Sequence, residues 1–532
     1  MKMNARKQLI AAVLAGTMVA LASMMPAAVS AETVWDSYNQ AVKLETKKDY
    51  TGAINKYKTA VPQFLAKKEY GNAGQMHRRI GENYVKLGNY DKAVENWDLE
   101  SSYYAKVGRT QDSIAVKYKA NRLRSSASLY YETAVEPSGG KLALLEPANG
   151  VLLGAYAEQD PAVHNPKNGK PFYTEQFPIL TGKHHAGYLI YFTYGQPLSV
   201  IRTHIAKAKA NGAALQIGLQ PLKGIDEVKD DAYLHQFAKD LKEAGIPFFL
   251  RFANEMNGKW VPWYSTPKQY IEKFRIVADV VHQEAPDNVA MVYAPNPEPE
   301  NTIQDYYPGD AYVDWVGISL YSIFNPKDDP LKLGEDRTSH LGKLDAVYKL
   351  FANRKPIMIS EGAISYMYPE KMLDKSDWAV YKVHELYGTL PLLYPKIKAN
   401  FWFDTNHDAA RIKYYQLSAN ARLLQAYKDV IASPYYLGAV GDESSIAYRP
   451  MAVGSVPAAK LKVAGYVKTW APVLSRVTYE INGRKVGEAQ LPPWRTDIDF
   501  AAYAGKNVAV VVKAYGPSGS LVTTNTVKVT VQ

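Results

Sequence analysis

The chain has 532 residues, 47% hydrophobic composition, a formal net charge of +11 and no cysteine. This length exceeds what one hydrophobic core usually organises, so several domains are expected. The lack of cysteine excludes a disulfide framework and a cysteine-ligated metal site. No dense basic tract is present, so the charge favours loose attraction to anionic cell-wall polymers over nucleic-acid binding, with an ordinary solvated basic surface as the simpler interpretation.

The N-terminus has the pattern of a secretion signal. A basic start with Lys2 and Arg6 precedes a long apolar stretch, which ends in small residues up to Ala31. We therefore expect a signal peptide over residues 1–31 and a secreted or cell-wall-associated protein, whose charge falls to +8 once the three cations of the signal are removed. An uncleaved membrane anchor is the alternative, and no later segment is long and apolar enough to span a membrane.

Residues 32–135 are predicted to form an all-α domain of helical repeats. Apolar residues recur at helical spacing, and KKDYTGAINKYKTAV around Tyr50 is echoed by LGNYDKAVENWDLES around Tyr90, forty residues later. These segments resemble tetratricopeptide-type helical hairpins. Arrays of this type present a concave face to a protein, so a protein or cell-wall partner is one interpretation, and a helical spacer or packing cap is the other.

Residues 141–432 alternate strand-like and helix-like segments, which is typical of a parallel α/β domain. Eight strand candidates begin at Val151, Ala186, Ala214, Pro247, Val289, Asp314, Pro356 and Ala399. Eight such units in about 290 residues predict a (β/α)8 TIM barrel.

The C-terminal part changes pattern again. Residues 433–460 are irregular and are interpreted as a linker, whereas residues 461–532 contain short runs of alternating polar and apolar residues. The dipeptide Asn482-Gly483 is a hairpin signal within these runs. An immunoglobulin-like β-sandwich is expected here, so the predicted fold is multidomain: helical repeats, a barrel and a sandwich.

Two glutamates close strands of the predicted barrel. Glu255 follows the fourth strand and Glu361 ends the seventh. Functional side chains of such barrels project from the C-terminal ends of the strands, so both carboxyl groups are expected to face one cavity. A retaining glycosidase needs an acid that protonates the glycosidic oxygen and a carboxylate that attacks the anomeric carbon, about 5 to 5.5 Å apart. Either motif alone is weak, because glutamate is common and usually solvated, so the hypothesis depends on the pair.

The run from Leu215 to Asp404 resembles the family 26 glycoside hydrolases of clan A. The matching segments are LQPLKGI, QFAKDLKEAGIPFFLRFANEMNGKWVPW, YAPNPE, YYPGDAYVDWVGISLYS, KPIMISEGA and YPKIKANFWFD. The resemblance implies that Glu255 is the acid/base and Glu361 the nucleophile. Asn254 departs from the family, which typically has histidine there, but agrees with the wider clan, whose asparagine hydrogen-bonds the sugar 2-hydroxyl. This departure weakens the transfer of a mannan preference.

Two further residues are expected to act on the nucleophile. Arg251, on the strand of the acid/base, is expected to face the cavity and hold Glu361 ionised, with a structural ion pair as the alternative. Tyr321, at the end of the sixth strand, is expected to donate its hydroxyl to Glu361, with core packing as the alternative.

Three tryptophans are candidates for contact with sugar rings. By resemblance to the clan, Trp402 on the eighth strand forms the floor of the subsite that holds the attacked sugar. Trp260 and Trp263 follow Glu255 closely and are expected to extend a stacking platform along a polymer, although single tryptophans are more often part of a core.

The sequence thus predicts a secreted, retaining hydrolase of a β-linked polysaccharide. β-Mannan is the first expectation for the substrate, and β-1,3-1,4-glucan or xylan is the second. The rival interpretation is a non-catalytic surface protein whose barrel only binds glycan. No ligand spacing indicates a metal and no phosphate-binding glycine loop is present, so neither a metal nor a cofactor is expected.

Overall fold

The computed structural model describes five ranges of the chain: 33–136, 139–165, 171–326, 340–406 and 413–532. The predicted signal peptide lies outside these ranges. Contacts divide the chain into two compact units, one up to Arg124 and one from Ser125 onward. No helix within the described ranges has the length and apolar character needed to cross a membrane.

The first unit is a series of antiparallel helices. From residue 33 onward its helices are α1 (Val34–Thr46), α2 (Tyr50–Ala66), α3 (Tyr70–Lys86), α4 (Tyr90–Lys106) and α5 (Thr110–Leu123). From α2 onward the helices begin twenty residues apart, so that a helical pair repeats every forty residues. This spacing confirms the echo seen in the sequence and the helical-repeat prediction.

The turns between these helices also repeat. Each has three residues, and the middle one adopts positive φ: Lys48 (62°), Lys68 (57°), Gly88 (71°) and Gly108 (73°). A left-handed backbone is free of strain for glycine but costs other residues about 1 kcal/mol. Two lysines therefore occupy positions at which the later turns of the same repeat have glycine.

Eight parallel strands of the second unit close into a barrel. In chain order the strands up to this closure are β1 (Ser126–Ala134), which lies outside the barrel, then β2 (Val151–Tyr156), β3 (Gly187–Thr193), β4 (Ala214–Gln220), β5 (Phe248–Phe252), β6 (Val289–Tyr293), β7 (Trp315–Ser322), β8 (Ile357–Ile364), the short hairpin strands β9 (Met367–Tyr368) and β10 (Leu373–Asp374), and β11 (Ile397–Phe403). Strand β11 pairs with both β8 and β2, which closes the ring. The eight predicted strands and the barrel are confirmed.

Helices cover most of the barrel. They are α6 (Tyr173–Thr181), α7 (Arg202–Ala210), α8 (Ala232–Ala244), α9 (Pro267–Glu284), α10 (His340–Phe351), α11 (Ser376–Leu393) and α12 (Ala421–Ile431). The connection from β6 to β7 has a short 3-10 turn at Glu300–Thr302 in place of an α-helix.

Side chains along each barrel strand alternate between the interior and the helix layer. The interior cluster includes Leu152, Leu189, Phe249, Trp315, Met358 and Phe401. The layer beneath the helices includes Leu153, Ile190, Leu250, Ile318, Ile359 and Trp402. This alternation decides which residues at the strand ends reach the cavity.

The C-terminal part forms two antiparallel-rich sheets. Its strands are β12 (Tyr436–Leu437), β13 (Ile446–Pro450), β14 (Ser455–Val456), β15 (Lys460–Lys468), β16 (Arg476–Ile481), β17 (Arg484–Ala489), β18 (Thr496–Asp499), β19 (Asn507–Tyr515) and β20 (Leu521–Val531). One sheet has the order β13-β1-β15-β18 and the other β14-β20-β19-β16-β17, while β12 pairs with β2. Buried residues of both sheets share one cluster, with Leu129 and Val463 from one and Tyr479 and Val510 from the other. The immunoglobulin-like assignment stays a prediction.

Two expectations about the flanks of the barrel were wrong. The predicted helical region ran to residue 135, but β1 occupies its last part, and the predicted linker over 433–460 contains β13. The two strands pair with each other, Tyr130 with Pro450 and Ala134 with Ile446. The alternation of polar and apolar residues in β1 is short and directly follows α5. These residues were therefore assigned to the helical region.

Close packing in the first unit gives a matched pair of variants. A Cβ added to Gly81 in α3 would lie 2.5 Å from Nε1 of the buried Trp97, whereas one added to Gly71 in the same helix meets nothing within 4 Å. We expect Gly81→Ala to lower the free energy of unfolding of this unit by about 1 to 3 kcal/mol. Gly71→Ala is expected to raise it by up to about 1 kcal/mol, because alanine favours helix. Native-state hydrogen exchange of α3 and α4 measures both, and similar effects of the two changes would contradict this packing.

Candidate active site

Glu361 reaches the cavity because of a β-bulge. The register between β7 and β8 shifts by one residue, so that Ile359 is paired regularly while Glu361 pairs with Ser319. The same interruption appears against β11. Met358 faces the interior, so simple alternation would turn Glu361 toward the helices; the extra residue, Ser360, turns it inward.

Three donors hold the Glu361 carboxylate. Arg251 Nη1 and the Tyr191 hydroxyl each donate to Oε2 at 2.6 Å, and the Tyr321 hydroxyl donates to Oε1 at 3.1 Å. Arg251 is fully buried, and its Nη2 donates to Ser319 Oγ at 3.1 Å. Oε2 therefore receives two short bonds, including the charged one, and Oε1 a single longer bond.

The electrostatics favour an ionised Glu361. Burial acts to raise the pKa of this carboxyl, but the Arg251 guanidinium and the hydrogen bonds from Tyr191, Arg251 and Tyr321 outweigh it, so the pKa is lowered. Burial raises the pKa of both tyrosines, and the charges of Glu361 and Glu255 raise it further, so both remain hydroxyl donors. Both carboxylates are therefore close enough to these hydroxyls to raise the pKa of the tyrosines.

Glu255 follows β5 on a strained backbone. Ala253 and Glu255 have φ values of 44° and 57°, in the left-handed region that these residue types rarely adopt. The Glu255 carboxylate accepts from Trp260 Nε1 at 2.9 Å and from Asn296 Nδ2 at 3.1 Å. Asn257 fixes Asn296 through two hydrogen bonds to its backbone. These donors are neutral, and within the described ranges no lysine or arginine pairs with Glu255, which contrasts with the charged environment of Glu361.

Asn254 is supported by one of the two neighbouring tryptophans. Its backbone carbonyl accepts from Trp263 Nε1 at 2.8 Å, and its buried Oδ1 has no hydrogen-bond partner within the described residues. Trp263 is only 3% exposed, so the stacking role predicted for it is wrong, because its ring is packed in the core beneath the loop. Trp260 is 52% exposed and lies across Gly258, where a Cβ would come within 2.3 Å of the indole. Trp260 thus remains available for stacking.

Trp402 does not face the cavity, which corrects the expectation that it forms the floor of a subsite. Its ring lies 5.4 Å from that of Tyr427 in α12, and its Nε1 donates to the Tyr415 carbonyl at 3.1 Å. The reason is strand alternation: Phe401 packs in the barrel interior, so Trp402 points to the helix layer and Phe403 points inward again.

Phe403 forms an aromatic floor in place of Trp402. Its ring stacks on Tyr156 with centroids 4.6 Å apart, and Tyr321 meets it edge-on at 5.8 Å. Tyr156 also meets Tyr191 edge-on at 5.6 Å. Tyr191 in turn lies against Gly218, where a Cβ would be 2.8 Å from its ring, so the small residue makes room for it.

Residues of this cavity that were not predicted from the sequence include Tyr191, Asn296 and Phe403. Strand alternation was the available signal for Tyr191 and Phe403, since each lies two residues beyond an inward-facing residue of its strand. Asn296 lies in an irregular loop after β6, and no periodic signal points to it. Across the described part of the chain, no three histidine, aspartate or glutamate side chains are arranged to hold a metal ion.

Comparisons with family models agree with this geometry. Residues 225–366 match the model described as glycosyl hydrolase family 26, a range that contains both Glu255 and Glu361. Residues 13–137, which include the helical unit, match the model described as soluble NSF attachment protein.

Two curated proteins are similar over part of the chain. Endoglucanase H of Acetivibrio thermocellus is 28% identical over 258 residues, which cover 46% of this chain and 27% of that protein. A mannan endo-1,4-β-mannosidase of Bifidobacterium adolescentis is 28% identical over 119 residues, 19% of this chain and 12% of that protein. The similarity thus spans about a quarter or less of either relative's length. With the family-model match, it supports a glycoside hydrolase.

Among solved structures, a β-mannanase from Bacteroides ovatus has a TM-score of 0.41 at 15% identity, and the similarity covers 56% of this chain and 92% of that one. At this score the likeness adds nothing to the assignments above.

The pKa of Glu361 is expected to depend on Arg251. In Arg251→Met the burial of Glu361 persists without its counter-charge, so the pKa of the carboxyl should rise above the unfolded value of about 4.3. In the wild type, the lowered pKa contributes stability above the unfolded value, and this is lost as the pH falls through the folded pKa. In the variant the sign reverses, so it should be less stable at neutral than at mildly acidic pH, relative to wild type.

Carboxylate infrared titration, with Glu361→Gln subtracted, measures the pKa, and Arg251→Lys is the charge-preserving control. An unchanged Glu361 titration in Arg251→Met would contradict the assigned ion pair.

Proposed function

We propose that the barrel is a retaining hydrolase of β-linked polysaccharides, with Glu361 as the nucleophile and Glu255 as the acid/base. The contrast between the two carboxyl environments carries this proposal. Glu361 is held by a buried guanidinium and two hydroxyls, which keep it ionised for attack. Glu255 is half-buried and contacts neutral donors, which suits a group that must carry and release a proton.

Each step can be assigned to named atoms. Glu361 Oε1, which has a single long hydrogen bond, attacks the anomeric carbon, while the bond from that carbon to the leaving oxygen breaks. Glu255 gives its proton to the leaving oxygen. In the second step Glu255 takes a proton from water, the water oxygen bonds to the anomeric carbon, and Glu361 is released as carboxylate. This route predicts carboxyl groups about 5 to 5.5 Å apart.

The neighbouring groups suit a sugar in this position. Asn254 Oδ1 is buried and has no hydrogen-bond partner in the described part of the chain, so a sugar hydroxyl is the donor we assign to it. The stacked Phe403 and Tyr156 rings form the floor beneath the attacked sugar, and the exposed Trp260 face lies beside the acid/base. Arg251 and Tyr321 act on the nucleophile as described above.

β-Mannan is the first substrate we propose. The family-model match and the relative named as a mannan endo-1,4-β-mannosidase support it. A β-glucan is the second candidate, because the longer match is to a protein named endoglucanase and because Asn254 takes the place of the histidine typical of family 26. Xylan follows. We also propose secretion or cell-wall association, supported by the signal-like N-terminus.

Hydrolysis is tested with the mature protein on mannan, glucomannan, barley β-glucan and xylan by reducing-end assay. We expect turnover on at least one polymer, with mannan favoured, and a loss on the order of 10⁴-fold in Glu361→Ala. Glu255→Ala should lose most activity on polymers but less on an aryl glycoside, whose leaving group needs no proton. Proton NMR of the first product should show the anomer of the substrate.

The control is Glu243→Ala, which removes an exposed glutamate of α8. Retained glycan binding without turnover on any polymer would favour the non-catalytic rival, and an inverted first product would exclude the nucleophile assigned to Glu361.

The two tyrosines on Glu361 should differ in effect. Tyr191→Phe removes a 2.6 Å bond to Oε2, the oxygen that also binds Arg251, so we expect kcat to fall about tenfold and the acidic limb of the pH profile to move upward. Tyr321→Phe removes the 3.1 Å bond to Oε1, the attacking atom. The rate at which the glycosyl-enzyme forms should therefore change more than the rate at which it is hydrolysed. Pre-steady-state kinetics separate the two steps. Identical profiles would contradict distinct roles for the two oxygens.

A further inference from the structure

Positive charge is concentrated in the helical unit. Residues 33–124 contain 17 lysines and arginines against 10 aspartates and glutamates, a net charge of +7, whereas the chain from Ser125 onward carries +2. The unit is less than a fifth of the chain and holds most of its excess charge. Such a concentration attracts anions to one part of the molecule and not to the barrel.

Exposed lysines lie at two of the turns of this unit. Arginines of the unit are engaged within it, either in ion pairs or over a ring: Arg78 with Glu100, Arg79 with Glu45, Arg109 with Asp112, Arg124 with Asp98 and Arg122 over Tyr118. Lys47, Lys48, Lys67 and Lys68 are exposed, and none forms an ion pair with a residue in the described ranges. The free charges are therefore ammonium groups, which bind phosphate as point charges.

The carboxylate beside each lysine pair accepts a hydrogen bond within the unit. Asp49 caps α2 by accepting from the Gly52 amide, and Glu69 accepts from Asn72 Nδ2 at 2.8 Å. Each carboxylate keeps its charge, so each turn has two lysines against one carboxylate and a net charge of +1. Lys106, at the end of α4, adds a cation that lies over Tyr70 at 5.1 Å and Tyr103 at 5.3 Å.

The backbone gives an independent indication that the lysines are used. Lys48 and Lys68 occupy left-handed positions, where the equivalent turns have Gly88 and Gly108. Glycine would adopt this conformation without strain, as it does in the two later turns. Lysine in the same conformation lowers the stability of the turn. Lysine occurs at both of these positions despite the backbone strain, which indicates that its side chain has a function there.

We propose that these turns bind a linear polymer with closely spaced phosphates. The two lysine pairs lie at opposite ends of α2, whose 17 residues separate them by about 25 Å. A flexible polyanion can run along the unit and contact both ends of α2. Binding by point charges along a polymer gives affinity without sequence or stereochemical specificity and depends steeply on salt.

The experiment measures binding of long-chain inorganic polyphosphate to the mature full-length protein, by fluorescence anisotropy at about 50 mM and about 200 mM salt. The variant combines Lys47→Ala, Lys48→Gly, Lys67→Ala and Lys68→Gly. We expect its affinity to fall at least about tenfold and its salt dependence to become shallower. Its thermal midpoint should be unchanged or higher, because glycine relieves the strain in both turns, so unfolding cannot explain the loss.

The matched control removes the same number of charges from exposed lysines of the second unit: Lys239, Lys242, Lys506 and Lys528, each to alanine. It should bind polyphosphate like the wild type, and both variants should keep glycan turnover, which separates this proposal from the catalytic one. Equal loss in both variants, or none in the turn variant, would overturn the proposal. So would preference for phosphatidylglycerol vesicles, which means a membrane, or for polyglutamate, which means an acidic protein.

Discussion

The ion pair between Arg251 and Glu361 is the constraint on which the site depends. It joins β5 to β8 across the interior of the barrel, where Arg251 is fully buried and Glu361 nearly so. A buried charge left without its partner typically costs 3 to about 5 kcal/mol, so the surroundings must keep the two together. The bulge at Ser360 turns the carboxylate inward. Tyr191 and Tyr321 add hydrogen bonds to the carboxylate, and Ser319 accepts one from the guanidinium. The same contacts offset the cost of burying the two charges, keep the carboxylate ionised and orient it toward the cavity.

Strand order and the ends of the strands could be predicted from the sequence. Apolar runs separated by helix-length segments fix the count of eight, and a parallel barrel then places Glu255 and Glu361 at one rim without further information. Arg251 could be predicted to join them because it lies four residues before Glu255, on the inward side of β5. These predictions needed only periodicity and topology, both of which are written in local sequence.

Side-chain direction beside irregular backbone could not be predicted. Trp402 looked suitable by residue type, but the phase of β11 is set by Phe401, which fills space next to Gly154, and that phase turns Trp402 outward. Glu361 faces inward against its apparent phase because of the bulge, which leaves no mark in the sequence. Trp260 and Trp263 both lie within eight residues after Glu255. Only the fold of the loop decides that the Trp263 indole is buried and donates to the Asn254 carbonyl, while the Trp260 indole is exposed.

Strand β1 precedes the barrel in the sequence, and its partners β13 and β15 follow it. The barrel is therefore inserted in the sequence between strands of one sheet. During synthesis β1 is made more than 300 residues before its partner strands. The backbone of β1, with Leu129 and Tyr131, is therefore unpaired while the barrel is being synthesised. A chain cut after the last barrel helix would keep this apolar strand with both edges open, a template for association with other chains. A fragment that keeps β1 paired therefore needs the barrel together with the sheets that follow it.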